Sequence, residues 1–135
     1  MQIFSRINQI FIGSIILMRR DKRERNYGIL LSGNCCVICG WDKKDRNGKL
    51  LVVGAHVMGL ATAQGYDHSN NIIALCPNHH IEFDVGNLTI DYLNKKIISF
   101  DGKDELHLQK LVGSVEHIFP KYFNNHQSMT FKKLF

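Results

Sequence analysis

This sequence of 135 residues is short of several things that would point elsewhere. It has only two prolines and one tryptophan, and 21% of its residues are charged against 44% hydrophobic. Proline-rich and strongly charged low-complexity chains are thereby excluded, and the balance matches an ordinary packed protein. It lacks a long apolar run: the stretch Ile10 to Met18 spans nine residues, whereas a membrane-spanning helix needs about 20. No small-residue cleavage site follows that stretch, and Arg19-Arg20 opens a charged run instead. An exported leader is therefore not expected, and neither is a membrane partner. Internal repeats are also missing. At this length one domain over residues 1–135 is expected, because a single core of about 100 to 150 residues already buries most of its apolar surface.

Acidic residues are scarce at both ends. Residues 1–33 carry six Lys/Arg against two acids, residues 34–120 carry eight against ten, and residues 121–135 carry three against none. Basic flanks can track a polyanion through phosphate contacts, and a mildly acidic centre can hold a divalent cation. A solvated helix face is the plainer explanation of the same charges. The N-terminal basic residues Arg19, Arg20, Lys22, Arg23 and Arg25 are the candidate contacts to a nucleic-acid backbone. Phe4, Ile7, Phe11, Ile15 and Met18 recur at spacings of three and four, so residues 3–31 are expected to form one long or broken helix ending near Gly33-Asn34. Its apolar face would serve equally as core or as a homodimer interface.

The four cysteines, Cys35, Cys36, Cys39 and Cys76, are an even number, which would allow two disulfides. The C-x2-C spacing, with a histidine three residues after Cys76, fits metal ligation better and favours a reducing cytoplasm. Cys36, Cys39, Cys76 and His79 form a three-cysteine, one-histidine set of the tetrahedral structural zinc type. Cys35 could replace Cys36, although the spacing to Cys39 then becomes x3. Cys36 to Gly40 is expected to be the knuckle and Asp42 to Gly48 a polar loop. Lys49 to Val57 reads as a strand carrying His56, Gly59 to Asn70 as a loop, and Ile72 to Leu75 as a second strand. Pro77 suits the first position of a helix that ends by Gly86. Leu88 to Asp91 and Lys96 to Phe100 read as a hairpin. From Asp104 the spacing of Leu108, Leu111, Val112, Val115 and Ile118 predicts a helix that Pro120 stops.

Helical residues advance by about 100°. Cys76 and His79 thus share one face, and His80 and Asp84, at i and i+4, share another. His79 can complete the zinc site while His80 and Asp84 point into a separate pocket suited to Mg²⁺ or Mn²⁺. Phosphodiester hydrolysis needs a base for water and a cation for the phosphate charge. His56 is the best-placed base, and Asn71 could hydrogen-bond backbone near it and fix its ring. His68, His107, His117 and His126 have no comparable spacing and are expected to be surface or core histidines.

The motifs Cys36-Val37-Ile38-Cys39, Ala55-His56-Val57, Asn71-Ile72-Ile73-Ala74-Leu75-Cys76 and His79-His80 resemble the HNH endonuclease family with its ββα-metal core, over about residues 34–100. The continuation Phe83 to Ile90 is similar to the branch that includes bacterial restriction endonucleases. The resemblance implies an α+β fold: a basic N-terminal helix (1–33), a zinc-stabilised ββα-metal core with a following hairpin (34–100), and a C-terminal helical segment (101–135). It implies a metal-dependent nuclease acting on double-stranded DNA, with His56 as general base, Asn71 as the middle asparagine and His80 as the last histidine and a metal ligand. Asp84 stands where the family often has a further metal-binding histidine or acid. Many members have an aspartate or histidine just before the base; here that residue is Ala55. The rival reading is a zinc-stabilised DNA-binding module without turnover, and an RNA nuclease is a third.

Overall fold

A short antiparallel hairpin organises the chain. The computed structural model describes residues 22–60 and 66–132. The expected helix upstream of Lys22, with its apolar face and with Arg19 and Arg20, lies outside the described residues. In order, the elements are α1 (Lys22–Leu31), β1 (Val53–His56), a 3-10 turn (Ser69–Asn71), β2 (Ile72–Leu75), α2 (Pro77–Asp84), β3 (Leu88–Asp91), β4 (Lys96–Ser99), α3 (Pro120–His126) and a wide π-type turn (Gln127–Phe131). β1 pairs antiparallel with β2, Val53 opposite Leu75 and His56 opposite Ile72, and β3 pairs with β4 from Leu88–Ser99 to Asp91–Lys96. β1, β2 and α2 are the ββα unit. Among the described residues no helix is long and apolar enough to cross a membrane.

All four residues of β2 are buried, because both its sides are occupied. β1 takes one edge. On the other, the Ala74 N–H donates to Ser32 Oγ (3.1 Å), the Val37 N–H donates to the Ala74 carbonyl (2.9 Å), and His117 Nε2 donates to the Ile72 carbonyl (2.8 Å). No backbone group of the strand is left dry and unpaired at those points, as burial requires. α1 crosses this unit closely at Gly28: a Cβ there would lie 2.8 Å from Ile72 Cβ and 2.9 Å from its carbonyl oxygen. Only glycine permits that approach.

The core contains Val37, Ile38, Ala55, Ile73, Leu75, Phe83, Leu88, Ile90, Ile97, Val115, Ile118 and Phe123. Each of these side chains except the smaller Ala55 contributes about 1.5–3 kcal/mol of burial free energy. His126, from α3, stacks on Phe83 at 3.7 Å between ring centroids. Its Nε2–H donates to the Phe83 carbonyl, and its Nδ1 accepts from Thr89 Oγ1, both at 2.8 Å. Burial pushes its pKa down to about 4. The neutral ring thus links α2, β3 and α3.

Two expected elements differ. The strand read over Lys49 to Val57 is confined to Val53–His56, because Asp45 Oδ1 accepts from the Asn47 and Lys49 N–H groups and folds 45–49 into a tight turn. The helix read over Asp104 to Ile118 does not form, and Pro120 starts a helix instead of stopping one. Apart from local turns at His107, Gln109 and Ile118, backbone donors of that segment reach distant carbonyls: Leu108 N–H to Ile97, Leu111 to Lys95, Val112 and Gly113 to Val37, Ser114 to Ser32, Phe119 to Asn70. Leu108 adopts a positive φ of 68°, which no α-helix accommodates. Leu108 and Val112, two of the helically spaced apolar residues, are exposed. The segment is an extended strap along the open edges of β2 and β4.

Candidate metal centre and active site

The knuckle is built by backbone. Gly40 N–H donates to the Cys36 carbonyl and Cys36 N–H to the Trp41 carbonyl, a turn closed by Gly40 at φ 82°. On the other side Cys76 caps α2, its Sγ accepting from the His79 N–H at 3.4 Å, with Pro77 as the first helical residue. Helix N-terminal amides favour a thiolate at that position. The ligand atoms of Cys36, Cys39, Cys76 and His79 all lie within 4.8 Å of one another. Cys36 Sγ is 3.6 Å and Cys76 Sγ 3.3 Å from His79 Nδ1. Zinc bonds of about 2.3 Å to sulfur and 2.0 Å to nitrogen at tetrahedral angles put donors about 3.5–3.8 Å apart, so the set fits zinc. Cys36, and not Cys35, joins it.

Although Cys39 lies at the surface, partial burial of its sulfur pushes its thiol up to about 12, with Cys36 and Cys76 adding to the shift and a backbone bond from Trp41 opposing it. Thiols so close together need a cation before all can ionise, which is a property of a metal site. Burial also raises the Cys35 thiol. All four cysteines are unpaired by disulfides.

His56 ends β1, and its ring is largely enclosed. Its Nε2 lies 2.8 Å from Asp67 Oδ1, with the two side chains 10% and 14% exposed. Asn71 is fully buried, and its side chain grips the chain just beyond the base. Its Oδ1 accepts from the Met58 N–H (2.8 Å), and its Nδ2 donates to the Met58 and Tyr66 carbonyls (2.9 Å each). The Val57 N–H donates in turn to the Asn71 carbonyl. Asn71 therefore fixes the backbone on both sides of the loop between the strands. The sequence reading missed Asp67, which follows His56 by eleven positions with nothing in the spacing to join them.

α1 reaches the same loop. Glu24 Oε1 accepts from the Ser69 N–H at 2.9 Å and lies 3.4 Å from His68 Nε2. The Arg25 stem lies over Gly54, where a Cβ would meet its Cγ. Gly54 and His56 alternate onto one face of β1. Lys22 and Arg23 are exposed, and Arg25 is half-buried with its Nε enclosed and without a hydrogen-bond partner.

On α2, His80 Nε2 and Asp84 Oδ2 are 3.1 Å apart, at 32% and 55% side-chain exposure. Neighbouring ligands of an octahedral ion at about 2.1 Å are about 3.0 Å apart, so the pair can share one Mg²⁺-class ion with open positions for water and phosphate. Ala55 is buried and supplies no further ligand. His79 and His80, adjacent in sequence, face different groups, as the helical rotation predicts.

The other histidines serve structure. His68 Nδ1 accepts from the Asn70 N–H, and His107 Nδ1 from the Ser99 N–H. His117, pushed down in pKa by burial, holds Ile72, and His126 is core.

Residues 36–91 match the family model described as HNH endonuclease. That span runs from the knuckle through β3. A comparison with curated proteins gave no match. Among solved structures, the chain is similar to a modification-dependent restriction endonuclease, TagI, at a TM-score of 0.65 and 24% sequence identity. The match covers 86% of this chain and 40% of that one. At that identity the likeness is one of fold, and the chain spans less than half of that endonuclease.

Proposed function

We propose that this chain, which resembles the HNH endonucleases over its matched segment 36–91, is a divalent-metal-dependent nuclease that hydrolyses phosphodiester bonds of double-stranded DNA. The observation that carries the reading is a single strand-turn-helix unit presenting an oriented histidine, His56, and a His80–Asp84 pair outside the zinc cluster. Zinc held by Cys36, Cys39, Cys76 and His79 would tie the knuckle to the start of α2. His80 and Asp84 would hold one Mg²⁺ or Mn²⁺, which supplies charge neutralisation at the scissile phosphate and its leaving oxygen.

The chain's own residues do the rest. With Nε2 engaged by Asp67, His56 Nδ1 is the nitrogen that takes the proton of an attacking water. The water oxygen bonds to phosphorus, the bond from phosphorus to the leaving sugar oxygen breaks, and that oxygen takes up a proton from solvent. Asn71 keeps the loop around His56 from shifting. Lys22, Arg23 and Arg25, with Arg19 and Arg20 upstream, would contact backbone phosphates and so position the duplex without reading bases. Free cysteines at a zinc site suit a reducing compartment such as the cytoplasm.

Supercoiled-plasmid cleavage by zinc-loaded protein tests this. Nicking is expected with Mg²⁺ or Mn²⁺ and not without them, and loss of about 10²–10⁴-fold in His56→Ala. An equal amount of RNA alongside the plasmid decides the substrate. Ala55 favours the second reading, a DNA-binding module; duplex binding that survives His56→Ala, with no nicking under any divalent ion, would establish it.

A further inference from the structure

We propose that Asp67 is a positioning residue for His56, and that α1, which lies outside the matched segment, holds Asp67 in place through Glu24. The proposal rests on the nuclease reading for its kinetic consequence, but the hydrogen bond itself does not.

A carboxylate can only accept hydrogen bonds. At 2.8 Å from His56 Nε2, Asp67 therefore requires that nitrogen to carry the ring proton, and the lone pair is placed on Nδ1. The ring is fixed in both tautomer and rotation, which a general base needs if its free nitrogen is to meet a water held on phosphate. The dyad is largely sheltered, at 10% and 14% side-chain exposure, so water competes weakly for the contact.

Asp67 sits in a loop, and a loop residue orients another only if it is itself held. Two anchors do this. Upstream, Asn71 Nδ2 donates to the carbonyl of Tyr66, the residue before Asp67; downstream, Glu24 accepts from the Ser69 N–H two residues after it. Glu24 belongs to α1, which meets β2 at Gly28. The basic helix proposed to lie on the phosphate backbone is thereby tied to the loop that aims the base.

The test compares Asp67→Asn, Asp67→Ala and Glu24→Ala with His56→Ala, all zinc-replete, by kinetics and by NMR of the His56 ring. The expected result is a hydrogen-bonded, slowly exchanging His56 ring proton on Nε2 in the unsubstituted protein that is lost in Asp67→Ala and exchanges faster in Asp67→Asn, whose neutral amide oxygen is a weaker acceptor. In those variants kcat falls about 10- to 100-fold with KM unchanged, and in Glu24→Ala, which removes the acceptor for the Ser69 N–H, it falls less. Wild-type kcat in the Asp67 variants, where His56→Ala is inactive, overturns the proposal. So does an exchange-broadened ring proton that Asp67→Ala does not alter. If the unsubstituted protein shows the protected ring proton but cleaves nothing, the nuclease reading fails and the dyad stands.

Discussion

Replacing Gly28 by alanine inverts an ordinary rule about helices. In an exposed helix interior that change stabilises by about 1 kcal/mol, because alanine restricts the unfolded chain and suits the helix. At Gly28 the added methyl would sit 2.8 Å from Ile72 Cβ and Cγ2 and 2.9 Å from the Ile72 carbonyl oxygen. None of these atoms is the free end of a flexible side chain. The carbonyl is pinned by His117, and two residues on, Ala74 is pinned by Ser32 Oγ, which itself donates to the Gly28 carbonyl at 2.8 Å. Neither surface can retreat without breaking a buried hydrogen bond. Overpacking of this kind costs about 1–3 kcal/mol, and loosening one buried bond costs about 1 kcal/mol more. Against the propensity gain the net is a loss of about 1–3 kcal/mol. For a chain of this length that lowers Tm by about 4–11 °C. Thermal unfolding at fixed excess zinc measures it, with Asn26→Ala, on the exposed side of α1, as the control that should hold or raise Tm. A Gly28→Ala protein as stable as that control would show that α1 and β2 are not in forced contact, and the packing argument would fall.

Zinc should depend on Cys36, Cys39, Cys76 and His79 and not on Cys35. Metal analysis of Cys76→Ser should show loss of the ion and a lower Tm, and Cys35→Ser and His80→Ala should keep one zinc per chain; loss in Cys35→Ser would refute the assignment. The buried, neutral His126, with its pKa lowered to about 4, gives stability a pH dependence. The unfolded chain binds this proton near pH 6.5 and the folded one only near 4, so the stability is complete above about 6.5 and falls as pH drops through this window. The full loss is about 3 kcal/mol. His126→Phe should narrow the Tm difference between pH 7 and pH 5, and an unchanged difference would show that other groups set the acid response.

The parts of the structure that follow from neighbours in the chain are those the sequence displays. Pro77 after a capping Cys76, the short apolar run 72–75 and the alternating strand 88–91, and the paired C-x2-C and C-x2-H half-sites each depend on residues a few positions apart. The strap does not. Its apolar spacing is helical, yet its N–H groups reach the carbonyls of Val37, Ser32 and Asn70, and tertiary hydrogen bonding overrides the periodicity. Asp67 was hidden for the same reason. One aspartate in a polar loop carries no local signal, and its significance lies in a contact with His56 that the β1–β2 pairing and Asn71 create. Arg25 shows a smaller shift: a cation in a basic run whose stem packs on a strand.

The sealed edge of β2 bears on how this module could be moved. Ser32 and His117 lie on either side of the matched span 36–91, and each closes a hydrogen bond that β2 cannot close for itself. A segment cut at the span's own limits would expose two unpaired backbone groups on its central strand, an invitation to pair with other chains. A transplant into another protein would need to carry α1 and the strap with it, so the smallest portable piece extends from Lys22 to His126, well beyond the part that a family pattern can see.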